Sequence, residues 1–336
     1  MISLKASRRN VLKAALLGMA GMVALSPSGA SAQETLRVAH SSNPGQSTYI
    51  YWDNLARVVN EANNGEIRLQ VYPSGQLGGD EQIQRSLKSG IVHMGSSASA
   101  NLGIVTNAYL WTDLPYVFKS RDHAHELLSD PRIVEYLDKK LRDDAGTKLL
   151  GHIDVGGFRL LINTKRQVKT PDEMRGMKLR MTASPVDQEL ISVWGGVPTA
   201  MPWSETFVSM EQGVVDGAQL QPQAIYGFGF NKIINHATHT KTLMSFHVPQ
   251  VNAAVWDRLS DNSRELLMKA SVEALQLAND ADARDELEFI EKTKDTVDYY
   301  MPTDDELAKW REPALTVWDK FSTKIDPEIL AIIKRQ

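Results

Sequence analysis

Two runs of alternating strand and helix patterns constrain this chain more than any other feature. In the first, Leu36–His40 reads as a strand, and Thr48–Ala62 as a helix with Tyr51, Leu55, Val58, Val59 and Ala62 along one stripe. Asn63-Asn64-Gly65 stops that helix. Ile67, Leu69 and Val71 alternate as a second strand, and Pro73–Gly75 turns. Asp80–Ser89 reads as a helix ended by Gly90, and Ile91–Met94 as a third strand. The second run goes from Phe158–Asn163 through Lys178–Met181, a helix around Val186–Trp194, Val197–Met201, Glu205–Gln212 and Ala218–Leu220. Such spacing predicts parallel or mixed sheets with helices on their faces. No sequence repeat or low-complexity linker separates the two runs.

A different texture follows. From Ser263 to about Tyr300 there is neither Gly nor Pro, and Asn262 with Glu265 can form a capping box. Unbroken, this helix would be on the order of 50 Å long at ~1.5 Å per residue, longer than one small domain. It could brace two domains; a break near Asn279-Asp280 is an equally simple reading. Upstream, Thr170, Pro171 and Glu173 resemble the start of a short helix, ended by Gly176. The strand after it, Lys178–Met181, places Leu179 and Met181 on one face and Lys178 and Arg180 on the other.

The first 32 residues are read as an export signal. A charged segment with Arg8-Arg9 precedes the apolar run Ala14–Leu25 and the A-x-A site Ala30-Ser31-Ala32, placing cleavage before Gln33. Ser7–Lys13 resembles the twin-arginine signal, with Val11 where phenylalanine is more usual. Cleavage leaves 304 residues (336 minus 32), a size suited to two domains. It also removes Lys5, Arg8, Arg9 and Lys13 and no acids, moving the formal charge from −4 to −8. An acidic chain is a poor partner for nucleic acid or an anionic membrane. With 0 Cys, disulfides, thiol nucleophiles and zinc ribbons are excluded.

Catalytic signatures such as G-x-S-x-G, H-E-x-x-H or a Walker loop are absent. His236 and His239 have a ligand-like spacing but sit in a polar, loop-like stretch without an adjacent carboxylate. Gly227-Phe228-Gly229-Phe230 reads as a helix end or bend. What remains are Arg159, Arg180, Trp203, Gln219 and Gln221 near strand ends of the second run, where open α/β sheets collect ligands.

The stretches GFRLLINT, TPDEMRGMKLRM and GGVPTAMPWSETFVSMEQGVVDGAQ, with VYPSGQLGGDEQIQRSLKSGIVHM and DLPYVF upstream, resemble the substrate-binding protein of a TRAP (tripartite ATP-independent periplasmic) transporter, of the dicarboxylate-binding-protein type. The resemblance implies a two-domain α/β periplasmic-binding-protein fold, class II-like, with hinge strands and a long domain-spanning helix. Domain I is then expected at 33–156 plus 245–278, and domain II at 157–244 plus 279–336. It implies a small organic carboxylate as ligand, delivery to membrane permease subunits, a periplasmic location and no enzymatic activity. No cofactor or metal is expected. By its K-L-R motif Arg180 corresponds to the arginine that grips the ligand carboxylate with a two-pronged salt bridge. Arg159, in G-F-R, corresponds to a second arginine at that carboxylate, and Trp203 to an aromatic that closes over the ligand.

Two departures stand out. Relatives that bind sialic acid or ectoine read D-G-Q-E-N-P, whereas Asp216–Pro222 is one residue longer, making Gln221, beside Gln219, the substitute for the asparagine. The stretch Gly95–Asn101 lacks charged residues. Its hydroxyls suggest Ser97, with Ser41 after the first strand, as first-domain contacts for a less polar ligand tail. The alternative reading is a binding protein of an ATP-driven importer or a periplasmic sensor partner; an enzyme is the third.

Overall fold

A computed structural model describes residues 33–62 and 65–335, with residues 283–287 as helix backbone only. The export signal at 1–32 and the Asn63-Asn64 stop lie outside the described residues. The first run is β1 (Glu34–Ala39), α1 (Ser47–Glu61), β2 (Ile67–Tyr72), α2 (Asp80–Lys88) and β3 (Met94–Ala98). Then come α3 (Arg121–Ser129), α4 (Pro131–Lys140), β4 (Thr147–Leu149) and β5 (Ile153–Phe158). The second run is β6 (Leu160–Asn163), β7 (Lys178–Met181), α5 (Pro185–Val193), β8 (Val197–Ala200), α6 (Trp203–Glu211), β9 (Gly217–Leu220), α7 (Pro222–Gly227) and β10 (His236–Thr238). The chain finishes with β11 (Met244–Asn252), α8 (Ala253–Arg258), α9 (Asp261–Thr293), β12 (Asp298–Tyr300), α10 (Asp304–Phe321) and α11 (Pro327–Arg335).

These strands make two mixed sheets. One has the order β2-β1-β3-β11-β4, with β5 also pairing β11; the other runs β12-β10-β6-β9-β7-β8. Each sheet is covered on both faces, as alternate residues show. Leu160 and Ile162 join a cluster with Met210, Ile225 and Phe230, while Leu161 points the other way, among Leu179, Met181, Trp194 and Trp310. Leu179 and Met181 thus share a face, and Arg180 lies opposite. Helix α1 seals the first sheet with Tyr51, Trp52, Leu55 and Val59, all fully buried.

The structure corrects several sequence expectations. The third strand is Met94–Ala98, not Ile91–Met94, whose Ile91 is exposed. This strand lies between β1 and β11, so close that a Cβ on Gly95 would sit 2.6 Å from the Ala39 carbonyl oxygen. Only small side chains fit there, and an apolar pattern does not announce them. The expected strand Phe158–Asn163 is two strands, β5 in the first sheet and β6 in the second, with Arg159 at the break. His236 opens a strand paired on both sides, by β12 and β6, rather than a loop, and its Nδ1 lies 3.4 Å from the Asp298 carboxylate, brought in by β12. The Gly227–Phe230 stretch does end α7, and Gly229 takes a left-handed φ of 75°.

The long helix α9 runs unbroken for 33 residues, past Asn279-Asp280. Its cap is Ser260, whose hydroxyl accepts from the Ser263 N–H at 3.1 Å, so the helix is capped two residues before Asn262, the cap expected from the sequence. Similarly, Thr170 precedes a short 3-10 turn without a capping bond from its hydroxyl, and Glu173 accepts from the Lys169 N–H instead, at 2.6 Å. Along α9, Leu267, Ala270, Ala274 and Ala278 pack into the first sheet's core. One turn further, Asp282 and Phe289 meet Gln223 and Tyr226 of α7, on the second sheet's side. The helix therefore touches both bodies.

Candidate functional site

The carboxyl ends of β1 and β3 face those of β7, β8 and β9 across a cavity of about 100 Å³, measured by where the centre of a water molecule can go. One water needs roughly 10–15 Å³ on that measure, so the space suits several waters or one small organic molecule. This is the crevice that open α/β sheets offer, here provided twice over.

The second sheet supplies the cations. Arg180 ends up on the inward face of β7, 5% exposed, because its neighbours Leu179 and Met181 must enter the core behind. Its Nε and Nη2 donate to the Met201 carbonyl at 3.3 and 3.1 Å, and its guanidinium lies 5.6 Å from the Trp203 ring centre. Among the described residues no carboxylate reaches within 4.0 Å of it. Burial, and then the nearby Arg159, push Arg180 down to about 10, which leaves it charged at neutral pH. An arginine has five N–H donors, and two N–H groups serve Met201. The rest belong to a side chain that lines the cavity together with Arg159 and, on the opposite wall, the Asp80 carboxylate.

Arg159 is differently placed. Its Nη1 donates to the Asp187 carboxylate at 2.8 Å and its Nε to the Ser245 hydroxyl at 2.6 Å. It lines the cavity yet already has a counter-ion, so the structural ion pair and the cavity-facing position coexist. Asp187 also accepts from Thr182 at 2.7 Å. Behind it lies Asp113, from the DLPYVF stretch, which burial and then the Asp187 charge push up to about 8. Two carboxyls and one guanidinium share this spot, and one carboxyl keeps its proton. That proton stabilises the fold fully below the ordinary value of 3.8 and progressively less as pH rises through about 8. The wild-type melting temperature is therefore expected to fall from pH 5 to pH 9 by more than that of Asp113→Asn. Parallel declines in the two proteins would show that Asp113 carries no such proton.

Trp203 opens α6 and lines the cavity while packing edge-on to Phe228, with ring centres 4.9 Å apart. Gln219 and Gln221 both line the cavity, and the Gln219 Oε1 is buried without a hydrogen-bond partner. Gln221 precedes α7 without capping it, which leaves its amide free of that duty.

On the first sheet's side the centre is Asp80, which opens α2. Its Oδ1 accepts from the Ser41 hydroxyl at 2.7 Å; its Oδ2 accepts from the Ala98 N–H at 2.8 Å and the Asn101 amide at 3.0 Å. Ser41 lines the cavity as expected. Ser97 does not: it is fully buried, donating to the Asp80 carbonyl at 3.0 Å and accepting from Gln84 at 3.0 Å. Alternation along β3 points Ser97 into the packing against α2 and leaves Ala98 at the cavity. His247 and Ser245 reach the wall from β11, and burial holds His247 below its ordinary range.

Sequence reasoning missed Asp80, Ser245 and His247, and held Asn101 only as part of the Gly95–Asn101 stretch. Asp80 carried a signal, as an acid opening the helix that follows the second strand; the two β11 residues carried none. Below the cavity, the Gln223 amide donates to Asp282 at 2.9 Å, and Asp282 accepts from the Gly156 N–H at 2.8 Å and from Arg121 at 2.6 Å. This network joins α7, α9, α3 and β5 where the two sheets meet.

A family model described as bacterial extracellular solute-binding protein, family 7 (DctP), matches residues 38–324. The chain belongs to this family. As a family 7 member it is a solute-binding protein and not an enzyme. It is 27% identical to the C4-dicarboxylate-binding periplasmic protein DctP of Rhodobacter capsulatus, over 81% of each chain. It is 26% identical to the 2,3-diketo-L-gulonate-binding periplasmic protein YiaO of Escherichia coli (strain K12), over 83% of this chain and 84% of that one. In fold it is similar to a TRAP periplasmic solute-binding protein from Shewanella oneidensis with bound succinate, with a TM-score of 0.85 at 20% identity, covering 90% of this chain and 98% of that one. That solved structure thus shares this chain's overall fold.

Proposed function

We propose that this family 7 protein captures a small organic carboxylate in the periplasm and passes it to the permease subunits of a TRAP transporter. The observation that carries the reading is Arg180, a buried guanidinium lining the cavity with no carboxylate of the described residues within 4.0 Å of it. A buried cation is costly until an anion joins it, and a planar fork suits a carboxylate. Arg159 beside it, Trp203 above it and Gln219 and Gln221 around it complete a ligand-sized wall. The acids named for the Rhodobacter and Escherichia relatives support the class without choosing between dicarboxylates and sugar acids. We read export as following the twin-arginine route suggested by Arg8-Arg9. Nothing in the site favours an ATP-driven importer or a sensor partner. Neighbouring genes for one small and one large membrane protein, without an ATPase, would agree with TRAP delivery.

The cavity walls belong to different sheets, and the chain passes between the sheets near Phe158–Leu160 and near Leu243-Met244. Gly156 and Gly157, at φ of 110° and 66°, adjoin the first crossing. We take these crossings as hinge strands between domain I (33–156 plus 245–278) and domain II (157–244 plus 279–336), with α9 bracing both. Ligand held by both walls must then shift the open–closed equilibrium toward closure. Screening an organic-acid library by thermal shift, followed by calorimetry, should yield a carboxylate that binds with one-to-one stoichiometry. Small-angle scattering should show a smaller radius of gyration at saturation with that acid. A library in which no acid raises the melting temperature would defeat the carboxylate reading.

A further inference from the structure

The two walls of the cavity differ in charge, and the difference bears on which acids fit. Both arginines of the lining, Arg159 and Arg180, stand on or beside the second sheet. The wall built on β1, β3 and α2 has no cation in the lining; it has the Asp80 carboxylate, with Ser41, Ser42, Asn101 and His247 around it. All three partners of that carboxylate are donors, the pattern of an ionised group. The partial positive charge at the start of α2 is already met by Asp80 and Glu81 in its first turn, so it is not on offer to an anion. Asp80 and Glu81 also lie close enough across the cleft to favour the charged form of Arg180. Burial keeps His247 and His40 neutral, so neither histidine supplies the missing cation.

Resting on the carboxylate reading above, we propose that the ligand is a hydroxy monocarboxylate: one carboxylate at Arg180 and hydroxyl groups toward Asp80, not a second carboxylate. A second anion would arrive beside Asp80 with nothing to neutralise it. An ionised carboxylate offers about four acceptor positions, and Ser41, Ala98 and Asn101 occupy three of them. The one left suits a single neutral O–H. An ammonium would need more acceptors than this wall leaves free. Gln219, with a buried and unpartnered Oε1, provides another acceptor for a hydroxyl from the opposite side.

Acids matched in carbon number separate this inference from the reading beneath it. Calorimetry on the mature protein would compare D-erythronate, succinate and butyrate at four carbons, and D-gluconate, adipate and hexanoate at six. In at least one set the hydroxy acid should bind on the order of 30-fold or more tighter than the dicarboxylate, from like-charge repulsion at Asp80. It should also exceed the plain fatty acid, which lacks donors. Asp80→Asn should narrow the gap by admitting the dicarboxylate. Should that variant fail to fold, the wild-type ranking still decides. A dicarboxylate or fatty acid that equals or beats the hydroxy acid in both sets overturns this inference and leaves carboxylate capture standing. Failure of all six acids to bind overturns both.

Discussion

Arg180→Ala is expected to weaken carboxylate binding by about 30- to 4,000-fold, the effect of removing one member of a desolvated charge pair, about 2–5 kcal/mol. The apo protein should keep its melting temperature to within a few degrees, because the substitution removes a buried cation that has no described carboxylate within 4.0 Å. Loss of binding without loss of stability separates a ligand anchor from a structural arginine. Arg180→Lys should recover part of the affinity only. A single ammonium cannot hold the Met201 carbonyl through two N–H groups and also present a planar fork to the ligand. Calorimetry that finds the alanine variant binding as tightly as wild type would remove Arg180 from the site.

Asp187→Ala should show the opposite profile, a protein damaged before any ligand is added. Its carboxylate is the counter-ion of the fully buried Arg159 and accepts from Thr182. Stranding one partner of a buried pair costs about 3–5 kcal/mol. Asp113, freed of its charged neighbour, can give up its proton and offset part of that loss, so the full effect is expected in the Asp113→Asn background. Saturating ligand should rescue the alanine variant more than it stabilises wild type, since a ligand carboxylate near Arg159 replaces the missing charge. Urea unfolding with and without ligand measures both quantities. A loss below about 1 kcal/mol in the double variant would mean that Arg159 is solvated by other means.

The cavity's second-sheet wall was the legible half of the site. Arg180 stands in a four-residue strand whose alternation already sets it opposite Leu179 and Met181, and the K-L-R motif proposes it for the ligand carboxylate by resemblance. Trp203 sits at a strand-to-helix junction that Pro202 marks in the sequence. The first-sheet wall was read less well. The hydroxyls of Gly95–Asn101 suggest a ligand contact at Ser97, whereas those small residues reflect a strand squeezed between two neighbours. His247 and Ser245 come from β11, whose pairing with β3 and β5 joins segments about 90 to 150 residues apart. No local pattern encodes such a pairing.

By itself the sequence determined two alternating α/β runs, a long stretch without Gly or Pro, and an arginine among apolar neighbours, because period and small motifs are properties of neighbouring residues. Only the tertiary structure decided which strands share a sheet, that one strand breaks at Arg159 to pass between sheets, that the long helix runs unbroken past both, and that Arg159 has Asp187 while no described carboxylate lies within 4.0 Å of Arg180. Arg159 and Asp187 are 28 positions apart, and Arg180 and Asp80 are 100 apart. Whether a buried charge is compensated depends on what packs within a few ångströms of it, and that is settled by the sheets closing on one another, not by the order of residues in the chain.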